Sequence, residues 1–194
     1  MSKTLGKVRP ARKRARIRAA AAWLGLAALG AALLVAHVVA HAEEAVKPPP
    51  IKLAVFEFEL EDASPTAVYQ GKTPSNADEE LRKATSAARN ELTQSGRYAL
   101  VDVGKVASTP VTEKALRRCD GCEAGIAQQL GAEQSLLGVV IRATATDYYV
   151  LIRIRDARTG KIIDQESANF AGSEEGWASG VRMLIKHQVL VTPS

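Results

Sequence analysis

The stretch from Tyr148 to Phe170 constrains the fold most, because it has the pattern of a β-hairpin with one buried face. Its first arm alternates from Val150 onward, so apolar and basic side chains fall on opposite faces. The apolar side chains are those of Val150, Ile152 and Ile154, and the basic ones are those of Arg153 and Arg155. Asp156 to Gly160 supplies the turn, with an Asp that can hold backbone N–H groups and a Gly free to take a positive φ.

The first 42 residues have the composition of an export signal. All eight of their charged residues are basic, and these precede an uncharged run over residues 19–40 that ends in Ala40-His41-Ala42. Signal peptidase accepts such a small-residue motif, so the sequence favours cleavage after Ala42; an uncleaved anchor over residues 19–40 is the alternative. We therefore expect a periplasmic protein that touches the membrane only through its leader, if the leader is retained.

The positive charge of the whole chain belongs to this leader. The formal net charge is +5, but eight of the 26 Lys and Arg residues lie in the first 42. Residues 43–194 have the other 18 against 21 Asp and Glu, which gives a formal net charge of −3. The high pI is thus no sign of nucleic-acid binding, and we expect no nucleic-acid partner.

The remainder divides into a short linker and one domain. Residues 43–50 end in three prolines, which predicts a stiff extended linker, and residues 51–190 form a single α/β domain. Before the hairpin, strands are predicted at 51–60, 98–103 and 134–142, helices from Ser75 and Cys122, and a mobile loop at 61–74; after it, a final helix is predicted from Ser173. The predicted fold is a two-layer sandwich of order β-α-β-α-β-β-β-α, whose mixed sheet has helices mainly on one face and a carboxy-terminal antiparallel meander.

Cys119 and Cys122 form the most distinctive pair in the chain. Two cysteines in an exported protein most simply form a structural disulfide. The alternative is a thiol-disulfide redox protein, because a helix that begins at Cys122 could lower a thiol pKa. Haem attachment would need a His where Glu123 stands, and zinc would need two more ligands although His187 is the only histidine after the leader. We expect no cofactor and no metal.

Apart from these cysteines, the chain offers no catalytic constellation. It has no Gly-x-Ser-x-Gly elbow and no glycine-rich phosphate loop after a strand. Its acidic clusters end a predicted strand or open a predicted helix, where solvated carboxylates are ordinary. We therefore predict that the protein is not an enzyme.

The hairpin carries a candidate partner surface made of Tyr148, Tyr149, Arg153, Arg155 and Arg158. Tyr and Arg are enriched among the anchors of protein interfaces. The competing interpretation is that these arginines pair with glutamates on neighbouring strands. The sequence leaves both interpretations open, and a protein partner in the cell envelope is the leading hypothesis.

An ordered set of short motifs supports a resemblance to a known family. The motifs are Leu53–Leu60 with Asp62, Ser95–Tyr98 with Leu100–Asp102, Cys119–Cys122, Leu130–Ala132, Ile154–Asp156 with Thr159-Gly160, and Trp177 with Ser179-Gly180. Over about Lys52–Lys186 the chain resembles the exported proteobacterial proteins catalogued as domain of unknown function 3280, also labelled 2380. The resemblance implies a periplasmic protein without assigned activity, so it supplies no site residues.

A more distant similarity lies at the level of the fold. The strand-helix-strand opening and the Thr-Gly hairpin are similar to the amino-terminal domain of TolB and to envelope assembly factors of the curli-secretion and penicillin-binding-protein-activator kind. Those are protein-binding α/β domains. The similarity therefore implies a non-enzymatic accessory protein that binds another envelope protein through a sheet edge or the hairpin face.

Overall fold

The structure, a computed structural model, describes residues 48–104 and 115–191. The predicted leader and its cleavage motif lie outside these residues, as does most of the predicted linker. The described end of that linker, residues 48–50, is exposed and has no regular secondary structure.

Within the described residues, six strands form one mixed sheet and four α-helices accompany it. The strands are β1 (Ile51–Val55), β2 (Glu59–Asp62), β3 (Tyr98–Val101), β4 (Gln134–Arg142), β5 (Asp147–Asp156) and β6 (Ile162–Ala171). The helices are α1 (Pro65–Gln70), α2 (Ala77–Gln94), α3 (Cys122–Gln129) and α4 (Trp177–Leu184). Short 3-10 turns occupy Leu116–Arg118 and Glu174–Gly176, and α4 continues into a π-helical turn at Ile185–Val189.

The strands lie in the order β3-β1-β4-β5-β6, and β2 pairs with β4 beyond the end of β1. β1 runs parallel to both β3 and β4, whereas β4, β5 and β6 form an antiparallel meander. The connection between the parallel strands β1 and β3 contains α2, as a crossover requires. The predicted fold class, a mixed α/β sheet that ends in a meander, is confirmed.

Helices cover mainly one face of the sheet, as predicted. We call this the α2/α4 face; Leu53, Val140 and Ile152 project from it, and it packs against α2 and α4 in the larger core cluster. Leu92 of α2 and Trp177 of α4 are fully buried there. On the opposite face, α3 forms a smaller cluster, and its members include Ala54, Phe56, Ile126, Ala127 and Leu137.

A bulge divides the first predicted strand, and this corrects the sequence prediction of one strand over 51–60. Val55 pairs with Leu136 and Glu59 pairs with Val139, so β1–β2 has one residue more than β4 over the same interval. The extra residue reverses the alternation: Phe56 joins the α3 cluster, whereas Phe58 joins the α2/α4 core. A single strand over 51–60 would have placed both rings on one face, because side chains two residues apart in a strand share a face.

Two further predictions need correction around α1 and α2. The predicted loop at 61–74 contains α1, whose first turn is capped by Ser64: its Oγ accepts a hydrogen bond from the Ala67 N–H at 3.2 Å. Ser64 is buried and also accepts a hydrogen bond from Arg142, which anchors the segment. α2 begins at Ala77 after Asn76, not with Ser75 as its cap.

Candidate interaction surface and disulfide cluster

The structure separates the five predicted surface residues into two groups. Tyr149 is 45% exposed, Arg153 is partly exposed and Arg158 is exposed. Tyr148 and Arg155 are only 2% and 7% exposed, so neither belongs to the surface. The prediction that Tyr148 and Arg155 belong to the partner surface is therefore corrected. Contacts within the chain explain why each side chain is buried.

Tyr148 connects the sheet to the start of α4. Its ring stacks on Phe170 with 5.7 Å between centroids and meets the Trp177 ring edge-on. Its hydroxyl donates a hydrogen bond of 2.9 Å to the Gly176 carbonyl. Burial raises the pKa of the Tyr148 hydroxyl above its ordinary value of 10.0. Gly180 permits this approach, because a Cβ there would lie 2.9 Å from the hydroxyl oxygen.

Arg155 lies on the opposite face, where it connects α3 to the hairpin turn. Its Nε donates to Glu123 at 2.9 Å, and Nη1 donates to the Gly160 carbonyl at 2.8 Å. Nη2 donates to Asp120 at 3.1 Å. The Glu123 side chain is 1% exposed and that of Asp120 is 99% exposed, so only the Glu123 pair is a buried ion pair. This ion pair within the chain explains why the Arg155 side chain is buried and does not face a partner protein.

Sequence reasoning missed Glu123 as a partner for Arg155. The available signal was its position in the first turn of a helix, directly after Cys122. An acidic residue is favourable there without any partner, because the helix dipole places partial positive charge at that end. Nothing in the local sequence therefore predicts that the Glu123 side chain is buried.

Two at least partly exposed residues of the set, Tyr149 and Arg153, lie on β5, the strand next to the edge strand β6. Arg153 donates a hydrogen bond of 2.9 Å from Nε to Gln165 on β6, and Tyr149 pairs with Asn169. Ile163, at the start of β6, is 49% exposed. These side chains form the part of the opposite face that lies over β5 and β6.

Among the described residues, the outer side of β6 has no strand partner. The inner side pairs with β5 along the length of the strand. Gly172 donates its N–H to the Thr146 carbonyl at 2.8 Å, so these two residues form a hydrogen-bonded pair of the β5–β6 ladder. Since bonded and non-bonded pairs alternate, the peptide groups of Gln165, Ser167 and Asn169 point away from β5. We call these groups, with the Tyr149 and Arg153 side chains, the β6 edge.

Cys119 and Cys122 are joined by a disulfide at the start of α3, with 5.7 Å between their Cα atoms. Both residues are partly exposed. Gly121 between them has a φ of 89°, and a Cβ there would meet the Arg155 guanidinium at 3.4 Å. The two sulfurs and a carboxylate oxygen of Glu123 lie within 4.8 Å of one another, so these residues are the ones that could hold a metal ion in the described part of the chain.

The fold and the surface define an α/β domain with a long free strand edge and no assembled catalytic site among its described residues. Residues 51–189 match the model of family DUF3280, described as a protein of unknown function (DUF2380). The chain therefore belongs to this family, and the resemblance predicted from the sequence is confirmed. The family description assigns no activity, so it does not support the redox alternative. No curated protein matches the chain.

Several solved structures are similar to this chain. The carboxyl-terminal domain of LpoB from Salmonella enterica has a TM-score of 0.46 and 18% identity, covering 64% of this chain and 85% of that one. Lipoprotein GNA1162 from Neisseria meningitidis has a TM-score of 0.48 and 15% identity over 75% of this chain and 100% of that one. TolB from Acinetobacter baumannii has a TM-score of 0.39 and 15% identity, with 75% of this chain and 29% of that chain covered. Within the described residues, no helix is both long and apolar enough to cross a membrane.

Proposed function

We propose that this protein is an exported, non-enzymatic binding module of the cell envelope, and that it takes an extended segment of a partner protein at the β6 edge. The basic leader with its Ala-x-Ala motif supports export. Membership of a family without an assigned activity is compatible with a binding role. The buried Glu123–Arg155 pair has a structural explanation, so it supplies no argument for catalysis.

The observation that carries the proposal is the outer edge of β6, with which no other strand of the described ranges pairs. In β-strand addition, main-chain hydrogen bonds supply affinity and the alternating side chains supply specificity. β6 has ten residues, whereas β3 at the other end of the sheet has four. An added strand would lie beyond β6, about 10 Å from β5, so the ring of Tyr149 would reach it across Asn169 to serve as an anchor. Arg153 and Arg158 would favour acidic side chains in that segment.

Site-specific photocrosslinking in the source cells tests the proposal. A photoreactive side chain at Ser167 would lie on the β6 edge, whereas the same side chain at Ser86 would lie on the exposed surface of α2 and serves as the matched control. We expect one discrete protein adduct from Ser167 and none from Ser86. Mass spectrometry of the adduct would identify the partner and the crosslinked segment.

Two results would contradict the proposal. The absence of any adduct from Ser167, with normal export of the protein, would remove the β6 edge as a binding site. Equal adducts from Ser167 and Ser86 would indicate collision rather than a defined interface. A partner crosslinked through a helix instead of an extended segment would contradict strand addition, because a helix cannot continue the hydrogen-bonded ladder.

A further inference from the structure

The start of α3 brings together three donors that the sequence did not group. Cys119 and Cys122 have the C-x2-C spacing that is found in zinc sites. The structure adds the Glu123 carboxylate, one oxygen of which lies within 4.8 Å of both sulfurs. The two cysteines alone leave a zinc ion two ligands short, and Glu123 supplies the third ligand.

The carboxylate of Glu123 is also incompletely satisfied. Oε1 accepts a hydrogen bond from Arg155, but Oε2 is buried and accepts none from any described residue. A buried carboxylate oxygen without a donor is costly, because it has lost its water and gained no partner. A cation at this position would provide the missing interaction. The Glu123 side chain is 1% exposed, which distinguishes it from the ordinary acidic residues of a helix start.

We propose that the reduced form of this cluster binds a thiophilic divalent cation of the Zn²⁺ class, with Cys119, Cys122 and Glu123 as its protein ligands. The disulfide occupies both sulfurs, so a dithiol protein must first reduce it. That dithiol gives two electrons and two protons to the disulfide, which becomes two thiols, and is itself oxidised to a disulfide. Each thiol then loses its proton to solvent, and each thiolate donates an electron pair to the metal.

The donor set favours this class of ion. Two thiolates with one carboxylate suit Zn²⁺, which accepts sulfur and oxygen ligands in tetrahedral geometry, and do not suit Mg²⁺ or Ca²⁺, which require oxygen ligands. Because Cys119 and Cys122 are partly exposed, water can take the fourth position. Arg155 acts as a positioning residue, since its hydrogen bond to Oε1 holds the Glu123 carboxylate beside the two cysteines.

Titration with Co²⁺, a spectroscopic substitute for Zn²⁺, tests the proposal on the full purified chain. We expect the protein reduced with a phosphine to bind one Co²⁺ and to show the absorption of a tetrahedral site with sulfur-to-cobalt charge transfer. The oxidised protein should show neither. X-ray absorption of the Zn²⁺ complex should give two sulfur and two oxygen neighbours. No binding by the reduced chain, or four sulfur neighbours from two chains, would overturn the proposal.

Substitutions then assign the ligands. Cys119→Ser with Cys122→Ser should abolish the charge-transfer absorption, and Glu123→Gln should weaken Co²⁺ binding by about tenfold or more. Glu61→Gln, on an exposed residue of β2, is the matched control and should bind as the unmodified chain does. Unchanged affinity in Glu123→Gln would overturn the role of Glu123. If that variant fails to fold, the sulfur count of the unmodified protein still tests whether both cysteines bind the metal ion.

Discussion

Arg155 connects two segments that are distant in sequence, and most of that connection depends on a single buried pair. Its guanidinium reaches the Glu123 carboxylate on α3 and the Gly160 carbonyl in the hairpin turn. Asp120, the third partner, is almost fully exposed, and solvent screens that interaction. The two acidic partners of one arginine should therefore contribute very differently to stability.

Removal of the arginine tests this difference. Arg155→Ala should lower the free energy of unfolding by about 3–5 kcal/mol, because it leaves the Glu123 carboxylate buried without its partner. Asp120→Ala removes only a solvent-screened ion pair and should change the free energy of unfolding by less than about 1 kcal/mol. Urea unfolding of both variants measures the two effects. Equal losses would contradict the assignment of the buried pair.

Tyr148 should make stability depend on pH in alkaline solution. Its pKa is raised in the folded protein, so the unfolded chain loses the hydroxyl proton first as the pH rises. This contribution to stability is complete below the unfolded pKa, near the ordinary value of 10.0, and is lost as the pH rises through the folded pKa. Tyr148→Phe should reduce that loss, although it also removes the hydrogen bond to Gly176 at a cost of about 1 kcal/mol.

Denaturant unfolding curves, recorded from neutral pH to the alkaline limit of folding, measure how much stability each variant loses as the pH rises. Tyr149→Phe is a matched control, because Tyr149 is exposed and its hydroxyl has no comparable burial. An alkaline slope that is the same in Tyr148→Phe as in the unmodified chain would show that the hydroxyl of Tyr148 is not the group responsible.

At the scale of elements, the bulge between β1 and β2 depends on a glycine in the neighbouring strand. Gly138 of β4 lies against the Phe58 ring, and a Cβ at that position would overlap the ring atoms. The Phe58 N–H donates to Thr85 Oγ1 on α2 at 2.9 Å, which fixes the bulged residue toward the α2/α4 core. The missing side chain on one strand thus provides room for the aromatic ring from the other.

Gly138→Ala should destabilise the protein by about 1–3 kcal/mol, the usual cost of overpacking. Phe58→Leu removes ring atoms from the point of overlap, so adding it to Gly138→Ala should cost less than the sum of the two single changes. A double-mutant cycle from denaturant unfolding measures this coupling, which for residues in contact amounts to about 0.5–3 kcal/mol. Strict additivity would contradict the packing described.

The sequence predicted those elements whose pattern is local. β4 begins and ends where the apolar run over Gln134–Arg142 predicted, and the hairpin has the predicted buried face with Val150, Ile152 and Ile154. The bulge could not be predicted, because an extra residue in β1–β2 is defined only by its pairing with β4. The same limit hid the burial of Arg155, since its partner Glu123 is 32 residues away.

For the whole molecule, the proposed binding role requires export, and the exported chain should hold Cys119 and Cys122 as a disulfide until a dithiol protein reduces it. Protein recovered from the periplasmic fraction should begin at Glu43 if the leader is cleaved, or remain in the membrane fraction if it is retained. In both cases Cys119 and Cys122 should resist alkylation until a reductant is added. Mass spectrometry of the intact chain, before and after reduction, measures both properties. Recovery from the cytosol with an intact leader and free thiols would contradict export.

The central claim is that a partner strand hydrogen-bonds to the free edge of β6, and two substitutions at one residue test it most directly. Ser167→Pro removes an N–H that faces the free edge and leaves the pairing with β5 intact, whereas Ser167→Val changes the side chain and keeps the N–H. The measurement is the affinity of each variant for the partner identified by crosslinking. We predict a loss on the order of tenfold or more for Ser167→Pro, equivalent to about 1.4 kcal/mol, and near-normal binding for Ser167→Val. Full binding by a folded Ser167→Pro variant would contradict the account.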